Sequence, residues 1–162
     1  MKEILDPLMI GLSEAGNNGL LWVLICFIML LCKSWRKSGV YLLITLSVGA
    51  IAQDVLKDLI QRPRPIMDPA MLLIPMPTSY SFPSGHTLIS FAAATTISAF
   101  FLRAGVIFFV VALLIGISRV YLGVHYVSDV IGGGLLGIAI SFIVLRFPRW
   151  VKADKKNLDR KM

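Results

Sequence analysis

The chain has 162 residues, 57% of them hydrophobic and only 15% charged, with a formal net charge of +7 and a mean hydropathy of +0.80. Soluble domains carry nearer to about 25% charged residues, so this composition excludes an ordinary water-soluble domain and points to a membrane-embedded one. Residues 1–162 offer room for a single compact helical bundle, with no second domain, internal repeat or low-complexity linker.

Residues 1–17, MKEILDPLMIGLSEAGN, set Ile4, Leu5, Leu8, Met9 and Leu12 at helical spacing but hold too few apolar residues to cross a bilayer. They read as an amphipathic helix on the membrane surface, broken near Gly16. Glu3 and Asp6 stand where a cleaved leader would be basic, and no apolar core precedes a small-residue cleavage site, so the segment is expected to stay on the protein. Five apolar spans are expected next, at about Asn18–Cys32, Gly39–Leu56, Thr87–Leu102, Ala104–Ile117 and Val127–Phe147. Cys26 and Cys32, six residues apart on the first span, fall on nearly opposite helix faces about 9 Å apart along the axis, beyond disulfide reach. They read as small packing residues with no redox or metal role.

Lys33, Arg36 and Lys37 follow the first span, Arg103 lies between the third and fourth, and Arg146, Arg149, Lys152, Lys155, Lys156, Arg160 and Lys161 follow the fifth. With alternating helices these all fall on one side, which the positive-inside tendency makes cytoplasmic. The basic tail, residues 148–162, then sets orientation and touches anionic lipid rather than nucleic acid. Lys57, Arg62, Arg64 and Arg119 remain on the outer side. Each alone could snorkel or pair with Asp54, Asp58 or Asp68; together, beside the chain's two histidines, they point to a bound anion.

Three stretches converge on that outer face. KDLIQRPRP, Lys57 to Pro65, ends the second span because its prolines cannot continue a helix; PSGH, Pro83 to His86, opens the third; SRVYLGVHYVSD, Ser118 to Asp129, joins the fourth to the fifth. Two helix N-termini with free N–H groups therefore aim at one place, which favours an anion. A phosphoryl group in transfer spreads negative charge over its oxygens, and the side chains suit it. Arg64 and Arg119 offer forked, permanently charged donors, Lys57 a point charge, and Ser84 with the Gly85 amide shorter-range hydrogen bonds, so neither metal nor cofactor is required. Asp129, four residues after His125, can take the Nδ1 proton and leave Nε2 as an in-line nucleophile. His86, in the other turn, is placed to protonate the leaving oxygen and then to activate water.

Lys57 with Arg64-Pro65, then Pro83-Ser84-Gly85-His86, then Ser118-Arg119 with His125 and Asp129 resembles the three-part signature of the type 2 phosphatidic acid phosphatase superfamily, which also includes vanadium-dependent haloperoxidases. The resemblance covers Lys57 to Asp129 and implies that His125 forms a phosphohistidine intermediate. Many integral-membrane members have six spans, whereas this chain reads as five plus a surface segment, which puts the lipid entry route in question. Of the features outside the signature, Gly132–Gly134 and Gly137 read as close helix packing, with a lipid groove as the alternative. Trp22, Trp35 and Trp150 read as an interfacial aromatic belt. MLLIPM, Met71 to Met76, either dips into the interface beside the site or covers the bundle.

The expectation is an all-α polytopic bundle in a cell membrane, about five spans plus an N-terminal interfacial helix, with the site facing away from the cytoplasm. Its function would be metal-independent hydrolysis of a lipid phosphate or diphosphate. Undecaprenyl diphosphate is favoured because the site faces outward, the loop between the first two motifs is short and no extra domain is present. Phosphatidic acid and phosphatidylglycerol phosphate are the alternatives. A membrane anion-binding or transport protein is the non-enzymatic one, and the His125–Asp129 pair argues against it, since simple anion capture gains little from an oriented neutral imidazole.

Overall fold

The computed structural model describes residues 2–66 and 72–158, with side chains through Arg146 except Asn18. Among these residues the chain forms six α-helices: α1 Lys2–Ala15, α2 Leu20–Leu31, α3 Arg36–Ile60, α4 Gly85–Ser98, α5 Leu102–Tyr121 and α6 Val127–Leu158. A 3-10 turn at Asn17–Gly19 separates α1 from α2, and Gly19, at φ 67°, supplies the left-handed residue that redirects the chain by 48°. The break thus falls where Gly16 led one to expect it.

Three helices are long and apolar enough to cross a membrane, namely α3, α5 and the Val127–Arg146 part of α6, and α1 with α2 counted as one bent span makes a fourth. The expected five spans reduce to these because two of them are short. α2 has 12 residues and α4 has 14, about 18 and 21 Å at 1.5 Å per residue, against a hydrocarbon core of about 30 Å. α1 is not a detached surface segment: it packs against α5, where the Tyr121 hydroxyl donates to Asp6 at 2.6 Å. The basic tail beyond Arg146 and Trp150 lie outside the described side chains.

α4 is the hub, packed against α3, α5 and α6. Ala92, Ala93 and Ala94 are fully buried on it, and its backbone runs into the glycine face of α6. A methyl group on Gly137 would sit 2.2 Å from the Leu88 carbonyl oxygen, and one on Gly133 2.7 Å from that of Ser84. Helices that share no hydrophobic drive in lipid associate through such close approach and through buried hydroxyls, which contribute about 0.6 kcal/mol each. The hydroxyls are present: Thr96 bonds Thr45 of α3 at 3.1 Å and Ser141 of α6 at 2.9 Å. The Trp22 indole donates to Ser90 at 2.8 Å. Trp22 is completely buried, which corrects its assignment to an aromatic belt; Trp35 is 44% exposed. An indole N–H with an acceptor inside the bundle has no need of the interface. Both cysteines are free, as expected, and the Cys26 thiol donates to the Gly39 carbonyl at 3.4 Å.

Candidate active site

The C-terminal ends of α3 and α5 and the N-terminal ends of α4 and α6 meet at one end of the bundle, bringing the three sequence stretches together. α3 stops because Gln61 turns into the left-handed region at φ 49° and prolines follow. The extended segment after it delivers Arg64 to the turn between α5 and α6. The Arg64 Nη1 donates to the Val124 carbonyl at 2.7 Å, and Nε and Nη2 to the Ser79 carbonyl and hydroxyl at 2.7 and 3.1 Å. Lys57, on the last turn of α3, donates to the same Ser79 hydroxyl at 3.2 Å. Ser79 therefore fixes the spacing of two cations, a role its place in a loop gave no sign of.

His125 lies in the turn just before α6 rather than on that helix, so its pairing with Asp129 spans a helix start. Nδ1 faces the Asp129 Oδ2 at 3.5 Å. On the other side of the ring the Arg64 Nη1 lies 3.3 Å from Nε2. A guanidinium has no lone pair to offer, so Nε2 must be the acceptor and the proton must sit on Nδ1. This is the tautomer a nucleophilic Nε2 requires. Burial, then the charges of Arg64, Arg119 and Lys57, push the His125 imidazole down to about 2, so it is neutral in the empty site.

Asp129 is fully buried, and its carboxylate is crowded with donors. Arg62 Nη1 donates to Oδ1 at 2.7 Å; the Ser81 hydroxyl and the Tyr126 amide donate to Oδ2 at 2.5 and 3.0 Å. In sequence Arg62 groups with the cations of an anion site and has Asp54, Asp58 or Asp68 as possible partners; in the fold it pairs with Asp129, and Asp68 lies outside the described residues. Ser81, two residues ahead of the PSGH turn, was not singled out at all.

The opposite wall is built by α4, α5 and α1. His86 stands in the first turn of α4, beside Gly16 and within hydrogen-bonding reach of the Ser13 main chain. Arg119, 4% exposed, reaches back to the Ser13 hydroxyl, while its Nε has no partner among the described residues. Ser13 lies 106 residues from Arg119 in sequence, and no local pattern could have linked them. A methyl group on Gly85 would meet the Gln53 side-chain amide, the end of a flexible chain, which would have to move aside. Ser84 is the one predicted anion ligand whose side chain turns away, fully buried and bonded to Thr87 at 3.0 Å, while its amide donates to the Asp129 carbonyl at 3.1 Å.

Lys57, Arg64, Gly85, His86, Arg119 and His125 line one cavity of about 790 Å³. Its polar end is lined on the loop side by Ile74 and Pro75, part of the apolar patch noted in the sequence, and by Pro77 just after it; Met71 at the start of the patch is not described. From there the cavity runs between α2 and α3, along Val23, Phe27 and Leu30 on one side and Leu43, Leu46 and Ala50 on the other. A cationic end with two histidines thus opens into an apolar cleft. Among the described residues no cluster of three or more His, Cys, Asp or Glu groups forms a metal ligand set.

Known proteins share this architecture. A Sulfolobus acidocaldarius protein named undecaprenyl-diphosphatase is 37% identical over 142 residues, which cover 86% of this chain and 68% of that protein. Phosphatidylglycerophosphatase B of Bacillus subtilis is 34% identical over 166 residues, covering 94% of this chain and 80% of its own. The crystal structure of Aquifex aeolicus LpxE superposes with a TM-score of 0.78 at 29% identity, over 88% of this chain and 86% of that one. With residues 37–153 matching the family model as well, the chain belongs to the PAP2 superfamily and is a multi-pass membrane protein of that lipid phosphatase family.

Proposed function

We propose that the protein hydrolyses a polyprenyl diphosphate, undecaprenyl diphosphate being the favoured substrate, on the outer face of the membrane through a phosphohistidine intermediate and without a metal. The observation that carries this reading is the hydrogen-bond polarity of His125: Arg64 on Nε2 and Asp129 on Nδ1 favour a neutral ring with its proton on Nδ1, so that Nε2, in a cavity lined by three cations, is free to attack once its lone pair turns from Arg64 to phosphorus. Nε2 attacks the terminal phosphorus, and the bond from phosphorus to the bridging oxygen breaks. Burial and the charges of Arg119 and Lys57 hold the His86 imidazole down to about 3 in the empty site, so it takes up a proton as the substrate's negative charge enters, and then gives that proton to the bridging oxygen, releasing the lipid monophosphate. His86, now neutral, takes a proton from water as the water oxygen attacks phosphorus; the N–P bond breaks and inorganic phosphate leaves. Lys57, Arg64 and Arg119 stabilise the charge on the non-bridging oxygens throughout. Ser84 would join them only if its hydroxyl left Thr87, whereas the Gly85 amide needs no rearrangement.

The apolar cleft between α2 and α3 suits a lipid tail whose head group sits among the cations. The Bacillus relative, named for a glycerolipid phosphate, supports a second reading in which phosphatidylglycerol phosphate or phosphatidic acid is the substrate. Phosphate release by purified protein in detergent, measured on undecaprenyl diphosphate and on both glycerolipids, with and without EDTA, decides between them. The favoured reading expects at least about tenfold higher kcat/KM on the diphosphate, unchanged by EDTA and inhibited by vanadate, which adopts the five-coordinate geometry of the group in transfer. Faster glycerolipid turnover establishes the second reading. Activity lost to EDTA and restored by Mg²⁺ overturns the metal-free electrostatics, and no turnover on any lipid leaves an anion-binding or transport protein.

A further inference from the structure

We infer that Arg62 is a positioning residue for the His125–Asp129 pair, an assignment that rests on His125 being the attacking group. Unlike Lys57, Arg64 and Arg119, Arg62 does not line the cavity. Its Nη1 bonds Asp129 Oδ1 at 2.7 Å and the Ser128 hydroxyl at 2.7 Å, and its guanidinium carbon lies 4.2 Å over the Tyr126 ring. Stacking and a forked donor together fix the guanidinium plane, which a lysine could not match.

The consequence falls on the carboxylate. Asp129 is fully buried, and an unpaired charge there would be costly. Arg62 compensates that charge and occupies Oδ1, so that only Oδ2 is left to face Nδ1 of His125. The donors on the two carboxylate oxygens are tied to each other as well: the Ser81 amide donates to the Arg62 carbonyl at 2.8 Å, and the Ser81 hydroxyl holds Oδ2. Three points of the chain, at residues 62, 81 and 126, thereby close one clamp around Asp129, the group that orients the nucleophile. Loss of the guanidinium frees the carboxylate to rotate, and Nε2 loses its aim without any loss of anion affinity.

The test separates aim from affinity, using an aryl phosphate as substrate and inorganic vanadate as inhibitor. Arg62→Gln is expected to lower kcat by about 10- to 100-fold, the scale of a misplacement of about 1 Å, with KM and vanadate inhibition within about threefold of wild type. In an Asp129→Asn background the same substitution should cost less than about threefold more, because the group that it positions is already disabled. A loss carried by KM with vanadate weakened about tenfold or more would make Arg62 part of the anion site instead. Additive losses, or an unchanged kcat, would also overturn the assignment. Should Arg62→Gln fail to fold, Arg62→Lys keeps the cation and is expected to lose about 3- to 10-fold in kcat at unchanged KM; a loss in KM again overturns it. Failure of the underlying reading is seen separately. Absence of a phosphohistidine on wild-type protein removes the nucleophile, whereas a labelled His125 with normal Arg62→Gln kinetics removes only this inference.

Discussion

The two histidines sit in one cavity but in unlike surroundings. On the His125 side every polar group is spoken for: Asp129 takes donors from Arg62, Ser81 and the Tyr126 amide, and the ring is held between that carboxylate and Arg64. On the His86 side, among the described residues, Arg119 is buried with one side-chain partner, Ser13, and an Nε that bonds nothing. A nucleophile needs a fixed direction of attack, so saturation serves it. An acid that becomes a base, and a cation that must follow an oxygen through changing geometry, need unfilled valences. On the function proposed above, the buried, incompletely paired Arg119 is unfavourable in the empty protein and would be compensated by the substrate's anion, which is how a preorganised site stores selectivity for charge.

The largest expected effect would break the comparison outright. His125→Ala should form no phosphoenzyme with any substrate, whereas His86→Ala should still be labelled slowly by an aryl phosphate, whose leaving group needs little acid, and then stall for want of a base. Acid-labile, base-stable ³²P retained on quenched protein is the measurement. Label on the His125→Ala protein and none on His86→Ala would exchange the roles of the two sides.

A smaller effect sharpens the contrast between aim and affinity. Ser13→Ala removes the side-chain partner of Arg119, and a hydrogen bond to a charged group is worth about 1.5–3 kcal/mol, so kcat/KM should fall by about 10- to 100-fold, mostly through KM and vanadate affinity. Ser81→Ala on the other side should lower kcat and leave KM close to normal. Steady-state kinetics of the pair check this; a KM effect in both would mean that the two sides are not functionally distinct.

The smallest effect is on stability. The folded imidazole of His125 is held far below its ordinary value of about 6.5, chiefly by burial, while the unfolded one is not. Above about pH 6.5 both states are neutral there and the group contributes no pH dependence; below it the unfolded chain takes up a proton that the folded one refuses. Phosphate-free protein should therefore lose thermal stability as pH falls from 7 toward 5, and His125→Gln should flatten that slope by up to about one proton, or about 1.4 kcal/mol per pH unit. An equally steep slope in the variant would place the titrating group elsewhere.

Much of the site was legible because its chemistry is written in turns. Prolines end α3, PSGH starts α4, and the last turn of α5 with the short connection after it carries Arg119 and His125 to the same end. Periodicity also locates the helices, but an apolar run does not fix how long its helix is or which residues turn inward; hence α2 and α4 read as spans of their own although they have 12 and 14 residues, and Trp22 reads as interfacial although it is buried. What stayed hidden was contact between distant segments. Ser13 to Arg119, Ser81 to Asp129 and Ser79 to both Lys57 and Arg64 are hydroxyl bonds, and serine carries no pattern that announces its partner. Arg62 was visible as a charge, but only the fold shows that it turns from the cavity to the carboxylate behind His125.

The short central helix has a consequence for how the protein is made. α4 has 14 residues and carries Thr87, Ser90, Thr95 and Thr96, so as a newly synthesised segment it gains little from entering lipid by itself. It becomes settled only when α3 and the glycine face of α6 surround it, and the PSGH turn arrives with it. Asp129 and His125 lie on or beside α6 as well. A growing chain thus brings the PSGH turn, His125 and Asp129 together only once α6 is in place.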